Sequence, residues 1–160
     1  MTTKIVRWLK PLTRTVIAWG ALLARPMTVG VRGAVFDGKG RVFLVRHTYL
    51  PGWYLPGGGV DPGETSQTAV IRELREEGNI EVEDRPELFG LYLNARLSRR
   101  DHVALYVIRR WRQPEPPRVP NREIVEAGFF PLDDLPAETT PATCRRLQEI
   151  GTGVQLDEIW

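Results

Sequence analysis

The sequence predicts an α/β chain, with a mixed sheet covered by helices on both faces. Three observations point there. β-Rich segments recur at 28–36, 41–47, 88–96, 102–109 and 125–131, bounded by the turn-forming residues that delimit strands. Helical patterning interrupts them from Thr65 or Ser66 to Gly78 and returns at 141–150, with apolar residues at three- and four-residue spacing. A third helical stripe precedes the first strand. Strands interleaved with helices are the pattern of layered α/β proteins.

That first stripe is Ile5, Trp8, Leu9, Leu12, Val16, Trp19 and Leu23, on one face of an amphipathic helix that Pro11 kinks or restarts. The first 36 residues carry Lys4, Arg7, Lys10, Arg14, Arg25 and Arg32 and no acidic residue. The uncharged run Thr15–Ala24 is about half of the ~20 residues a membrane span needs. Basic residues before an apolar run also fit a signal peptide, but there is no clear A-x-A cleavage site. A basic amphipathic helix on an anionic membrane surface is one reading. Packing on its own domain or on a second copy, as a homodimer contact, is the favoured one. Residues 1–26 are therefore read as a helical extension and 27–160 as the main domain.

From there the elements follow in order. Strands 28–36 and 41–47 flank Asp37-Gly38-Lys39-Gly40, which reads as a hairpin turn. Tyr49–Gly52 is a loop, and Trp53–Leu55 leads into Pro56 and three glycines. Asp61–Glu64 is a turn, and Thr65 or Ser66 caps the helix that follows. Its Val70 and Leu74, four apart, face the core. Strands 88–96 and 102–109 pair across the charged tip Ser98–Asp101. Gln113–Pro120 holds four prolines and is a surface loop. The strand at 125–131 and the turn at 133–136 precede the last helix, capped by Thr139 or Thr140.

At 160 residues the chain is the size of one domain and can bury a sizeable core. Net charge is +2. Cys144 is the only cysteine, which excludes an internal disulfide and a cysteine-built zinc site and fits a reducing, cytoplasmic setting.

The chemistry concentrates in Gly58–Ile80, GGVDPGETSQTAVIRELREEGNI. Glu73, Glu76 and Glu77 stand at i, i+3 and i+4, so a helix crowds their carboxylates onto one face. Like charges so placed destabilise a helix by roughly 0.2–0.5 kcal/mol per pair. A hard divalent cation reverses the sign, because Mg²⁺ and Mn²⁺ prefer carboxylate oxygen. Arginines at 72 and 75 offer the plainer reading of a solvated, self-screened helix face. The upstream glycines and Glu64 weigh against that.

The stretch resembles the Nudix box: G, five residues, E, seven residues, R-E-U, one residue, E-E, one residue, G-U, with U a bulky aliphatic. Gly58, Glu64, Arg72-Glu73-Leu74, Glu76-Glu77 and Ile80 fall on the pattern. The departure is Asn79, where the family has glycine; asparagine is the next most tolerant residue of a left-handed turn. WYLPGG at 53–58 resembles the family's approach to the box. The resemblance implies the Nudix fold, an α/β/α sandwich with the box helix at one sheet edge. It also implies hydrolysis of the diphosphate linkage in a nucleoside diphosphate derivative, by water attack on phosphorus. Under it Glu73, Glu76, Glu77 and the Gly58 carbonyl hold Mg²⁺, with Mn²⁺ as a substitute, and Glu64 and Arg72 brace loop against helix.

The general base is left open between Glu126 and Glu123, with Glu126 preferred and a box glutamate as a third source. Arg32, Arg46 and His47 are candidates for phosphate contact, and Trp53 for stacking on a base, although His47 and Trp53 have ordinary core readings too. Substrate is open. The chain lacks the run after the box that marks NADH-type members; Ala95 and Arg96 stand where ADP-ribose members carry proline, and Leu97 and Ser98 where dinucleoside-polyphosphate members carry tyrosine. The coenzyme A signature is absent as well. The expected partner is a small nucleotide, with no stable nucleic-acid complex. Two rivals share the fold: an isoprenyl diphosphate isomerase, which needs an active-site cysteine that Cys144 is badly placed to be, and a non-catalytic nucleotide- or RNA-binding module.

Overall fold

Alternation along the strands decides the layering. Val31, Val35, Phe43, Val45, Ala104 and Tyr106 are buried on one face, with Val70 and Leu74 of the first helix. Their neighbours Ala34, Val42, Leu44 and Leu105 are buried on the other, with Leu147 of the last helix. Successive strand residues point to opposite faces, so two helices on opposite sides require near-continuous apolar strands. The result is the expected α/β/α sandwich. This computed structural model describes Gly20 and residues 26–160. The helix expected over 1–26 lies outside the described residues, apart from Gly20 and Pro26, and with it the dimer and membrane-surface contacts drawn from it.

The strands are β1 (Thr28–Val35), β2 (Val42–His47), β3 (Trp53–Tyr54), β4 (Glu81–Val82), β5 (Glu87–Leu93), β6 (Asp101–Ile108), β7 (Trp111–Arg112) and β8 (Ile124–Phe130). The helices are α1 (Ser66–Gly78) and α2 (Pro141–Thr152). They form sheets ordered β1-β6-β5 and β3-β2-β8, with a short β4-β7 ribbon. β1 runs parallel to β6 while β5 and β6 are antiparallel, which makes the first sheet mixed. Among the described residues no helix is long and apolar enough to cross a membrane.

The hairpin expected between 28–36 and 41–47 is corrected. Asp37 closes a turn by accepting from the backbone N–H of Lys39 and Arg41, both at 2.9 Å. Beyond it only Phe36 and Val42 bridge, and β1 and β2 then separate into different sheets. β1 finds its ladder on β6, where the Thr28 hydroxyl donates to Asp101 at 2.6 Å. The 88–96/102–109 pair is a hairpin, as expected.

Candidate active site

α1 is held at both ends by its sequence. The Thr65 side chain accepts the Thr68 N–H at 3.1 Å, and Asn79 terminates the helix in the left-handed region at φ 51°, ψ 35°. Asn79 donates its backbone N–H to Arg75 and Ile80 donates to Leu74, a closed C-terminal turn that only glycine or asparagine adopts readily. Ala69, Val70 and Leu74 are buried, which leaves Glu73, Glu76 and Glu77 along the edge facing the glycine loop. Their environments grade from exposed Glu76 to Glu77, which is 5% exposed.

The loop is shaped to this edge. Gly57 has φ 142°, and a Cβ there would collide with the Val31 carbonyl. Its N–H donates to Glu77 Oε2 at 2.8 Å. At Gly58 a Cβ would strike the Glu73 carboxylate, so that glycine leaves the room the carboxylate occupies. Arg32 Nη1 donates to the Leu55 and Gly57 carbonyls at 2.9 and 2.8 Å and pins the loop from β1.

Arg72 lies at the centre. Nε and Nη2 grip Glu64 at 3.1 and 3.0 Å, and Nη2 also reaches the Gly59 carbonyl. Nη1 bridges Glu73 at 2.7 Å and Glu76 at 3.3 Å. A planar guanidinium meets a carboxylate with two parallel bonds, so the Arg72–Glu64 pair fixes geometry as well as charge. Hydrogen bonds from Arg72 lower the Glu64 pKa, and those to Glu64 and Glu73 raise that of Arg72. Burial raises the Glu73 pKa and pushes Glu77 up to about 8, with Arg32 and the Gly57 N–H opposing.

Of the residues singled out in the sequence, Gly58, Glu64, Arg72, Glu73, Glu76 and Glu77 lie together. The Gly58 carbonyl already accepts the Val31 N–H at 2.8 Å, which engages one of its lone pairs. Glu126 sits opposite Arg46 in the β2–β8 ladder and is ion-paired with it at 2.6 Å. Glu123 is exposed and has no ion-pair partner among the described residues; its charge acts on Glu77 and on Tyr49. Two substrate candidates are in the core instead. Trp53 packs edge-on to Phe130 at 4.8 Å, because β3 pairs with β2 and turns the indole toward α2. His47 is 4% exposed, which leaves no face for a phosphate. Gly57, whose N–H backs Glu77, is a functional residue that the box pattern does not specify; its signal is the extra glycine directly before Gly58.

The family model described as NUDIX domain matches residues 26–147. The chain belongs to the Nudix family. A MutT Nudix hydrolase structure from Burkholderia pseudomallei is 32% identical with a TM-score of 0.66, over 77% of this chain and 97% of that one. A Nudix hydrolase from Nitrosomonas europaea shares the fold at 22% identity and TM-score 0.66, over 84% of this chain and 96% of that one. A Gluconobacter oxydans protein named RNA pyrophosphohydrolase is 47% identical over 58 residues, 32% of this chain and 34% of that protein. A Bacillus subtilis protein named putative 8-oxo-dGTP diphosphatase is 42% identical over 50 residues, 31% of this chain and 34% of that protein. The chain thus spans about a third of the length of these two relatives.

Proposed function

We propose that this chain is a divalent-metal-dependent pyrophosphohydrolase that cleaves the diphosphate linkage of a nucleoside diphosphate derivative. The observation that carries the reading is the set of carboxylates on one edge of α1, with buried Glu77 held from behind by the Gly57 N–H. A carboxyl buried at the cost of a pKa near 8 is poorly placed for stability alone and well placed to meet a cation.

The donor set fits a hard cation. Its members are carboxylates and backbone carbonyls, with no thiolate, since Cys144 is exposed on α2. Among the described residues no three acidic, His or Cys side chains stand as a ready-made cage, and Arg72 Nη1 lies between Glu73 and Glu76. Glu73, Glu76 and Glu77 would hold Mg²⁺, or Mn²⁺ in its place, while the Arg72–Glu64 pair keeps the loop against the helix. Such a cation polarises the phosphoryl oxygens and acidifies a water. Glu123 is the base we favour: its charge reaches Glu77, whereas Glu126 is committed to Arg46. It takes one proton as the water oxygen bonds to phosphorus and the bridging P–O bond breaks, which leaves two phosphorylated products.

The names of the relatives widen the substrate class from small nucleotides to 5′-phosphorylated RNA ends, and the setting we expect is cytoplasmic. A non-catalytic binding module remains the rival. Binding needs no such set of crowded carboxylates. The deciding experiment incubates the protein with NTPs, nucleotide sugars, ADP-ribose, dinucleoside polyphosphates and 5′-triphosphorylated RNA, with Mg²⁺, Mn²⁺ or EDTA. Metal-dependent product release supports the reading; tight binding without turnover on any of them sinks it.

A further inference from the structure

Beside the carboxylate cluster a buried histidine has no partner. Neither Nδ1 nor Nε2 of His47 makes a hydrogen bond among the described residues, although the side chain is almost wholly enclosed. A buried polar atom left unpaired is costly, and each case in a folded protein calls for a physical reason.

The backbone shows how the ring comes to be there. β2 and β8 pair one-for-one from Val42–Phe130 to Arg46–Glu126, and then the register slips so that His47 faces Ile124. The slip leaves Val125 as an extra residue on β8, while β2 itself runs on without interruption. Alternation along β2 puts His47 on the face of Phe43 and Val45, the one that α1 covers, and Arg46 on the opposite face beside Glu126. Its ring lies 5.2 Å from that of Tyr49 and 5.7 Å from that of Tyr54, centroid to centroid. Nδ1 comes within 3.7 Å of Glu77 Oε1. That is beyond a hydrogen bond by about half an ångström or more. The other oxygen, Oε2, already accepts the Gly57 N–H at 2.8 Å.

We propose that His47 is a positioning residue for Glu77: Nδ1–H donates to Oε1 of the ionised carboxylate, and with Gly57 N–H on Oε2 fixes its plane toward the cation. The inference rests on the cation reading of the cluster given above. A carboxylate has lone pairs enough for one such donor and one cation on each oxygen. Hydrogen bonds behind a metal ligand orient it and strengthen its binding. Arg32, Glu77 and the two tyrosine rings lie around the His47 ring, and Glu77 brings a carboxylate oxygen within 3.7 Å of Nδ1.

The test is Mn²⁺ affinity, measured by electron paramagnetic resonance of free Mn²⁺ on the full chain, without substrate. His47→Asn places an amide N–H close to the Nδ1 position, whereas His47→Gln places it near Nε2. We expect the Asn variant to bind Mn²⁺ within a few-fold of wild type and the Gln variant about 10–100-fold more weakly, with both folded by circular dichroism. His47→Phe should match the Gln variant. Equal affinity in the Asn and Gln variants, whether near wild type or equally weakened, reduces His47 to core packing and overturns the proposal. Wild-type protein that binds no Mn²⁺ removes the cation reading itself, and this one with it.

Discussion

The side-chain amide of Asn79 donates to the Glu115 carbonyl at 2.9 Å, so the one residue that departs from the box ties the proline loop to the end of the box helix. Gln113 makes the reciprocal tie, donating to the Gly78 carbonyl at 2.6 Å. Two amides thus hold the loop 113–120 against the C-terminus of α1. Glycine at 79 would relieve left-handed strain but lose the first tie, terms of opposite sign and about 1 kcal/mol each.

Asn79→Gly should therefore shift the thermal midpoint by no more than about 2 °C, since roughly 1 kcal/mol is worth 2–4 °C at this size. Amide exchange at Glu115 and Arg118 should nevertheless accelerate, because the loop has lost a tether. Asn79→Ala loses the tie and adds a strained Cβ, and should cost about 1–2 kcal/mol in urea unfolding. Unchanged exchange in the Gly variant would mean that Gln113 holds the loop unaided.

The box was legible because its information is local: helical periodicity alone brings residues 73, 76 and 77 to one face, and a turn of fixed length brings Glu64 back to Arg72. The layering was legible from apolar strands alternating with helices. What escaped depends on pairings distant in sequence. β1 joins β6 through partners 73 residues apart, so an Asp-Gly turn beside it read as the start of a hairpin. Trp53 and His47 looked available for substrate because neither the β3–β2 pairing nor the packing of α1 over β2 is written in their own neighbourhoods. Glu126 and Glu123 differ only by which one meets Arg46 across a ladder, and that is a matter of register.

The metal-ligand reading has a stability signature as well as a kinetic one. The raised Glu77 pKa means that the native protein, free of divalent cations, holds a proton which the unfolded chain releases between about 4.5 and about 8. The native state binds more protons across that window, so this contribution favours folding at low pH and fades as pH rises. Glu77→Gln cannot ionise. Its thermal midpoint relative to wild type should rise by a few degrees from pH 5 to pH 8 in EDTA. Mn²⁺ at pH 8 should then stabilise wild type and leave the variant unmoved, while hydrolysis by the variant falls by roughly 100-fold or more, the loss of about 2.7 kcal/mol of charge stabilisation. A pH-independent difference between the two midpoints would show that Glu77 is ionised without the cation.

The two candidate bases separate by kinetics. Glu123→Gln should lower kcat by about 10²–10⁴ with little change in KM, and flatten the acidic limb of the pH–rate profile. Glu126→Gln weakens only the ion pair to half-exposed Arg46, an interaction of the kind worth about 1 kcal/mol or less, so its rate should stay within about tenfold of wild type. The reverse order would return the role to Glu126 and require Arg46 to release it during turnover.

The chain's end is anchored by a buried ion pair remote from the box. Arg146 is fully enclosed on α2; Nη2 meets Glu149 at 2.9 Å, Nη1 donates to the Ile159 carbonyl at 2.8 Å, and the guanidinium lies over the Tyr92 ring at 4.3 Å. Glu149 also accepts the Tyr92 hydroxyl and the N–H groups of Leu156 and Asp157, so one carboxylate closes the tail onto β5. Removing one partner of such a pair strands the other without solvation, which is why truncation costs more than the pair itself contributes. Arg146→Ala should lose about 3–5 kcal/mol in urea unfolding, whereas the double change Arg146→Met with Glu149→Leu should lose less than the single one. Mn²⁺ affinity of the still-folded double variant should equal that of wild type, because nothing in this anchor touches α1. A double variant less stable than Arg146→Ala would mean that the hydrogen bonds from Leu156 and Asp157, rather than the charge pair, hold the tail.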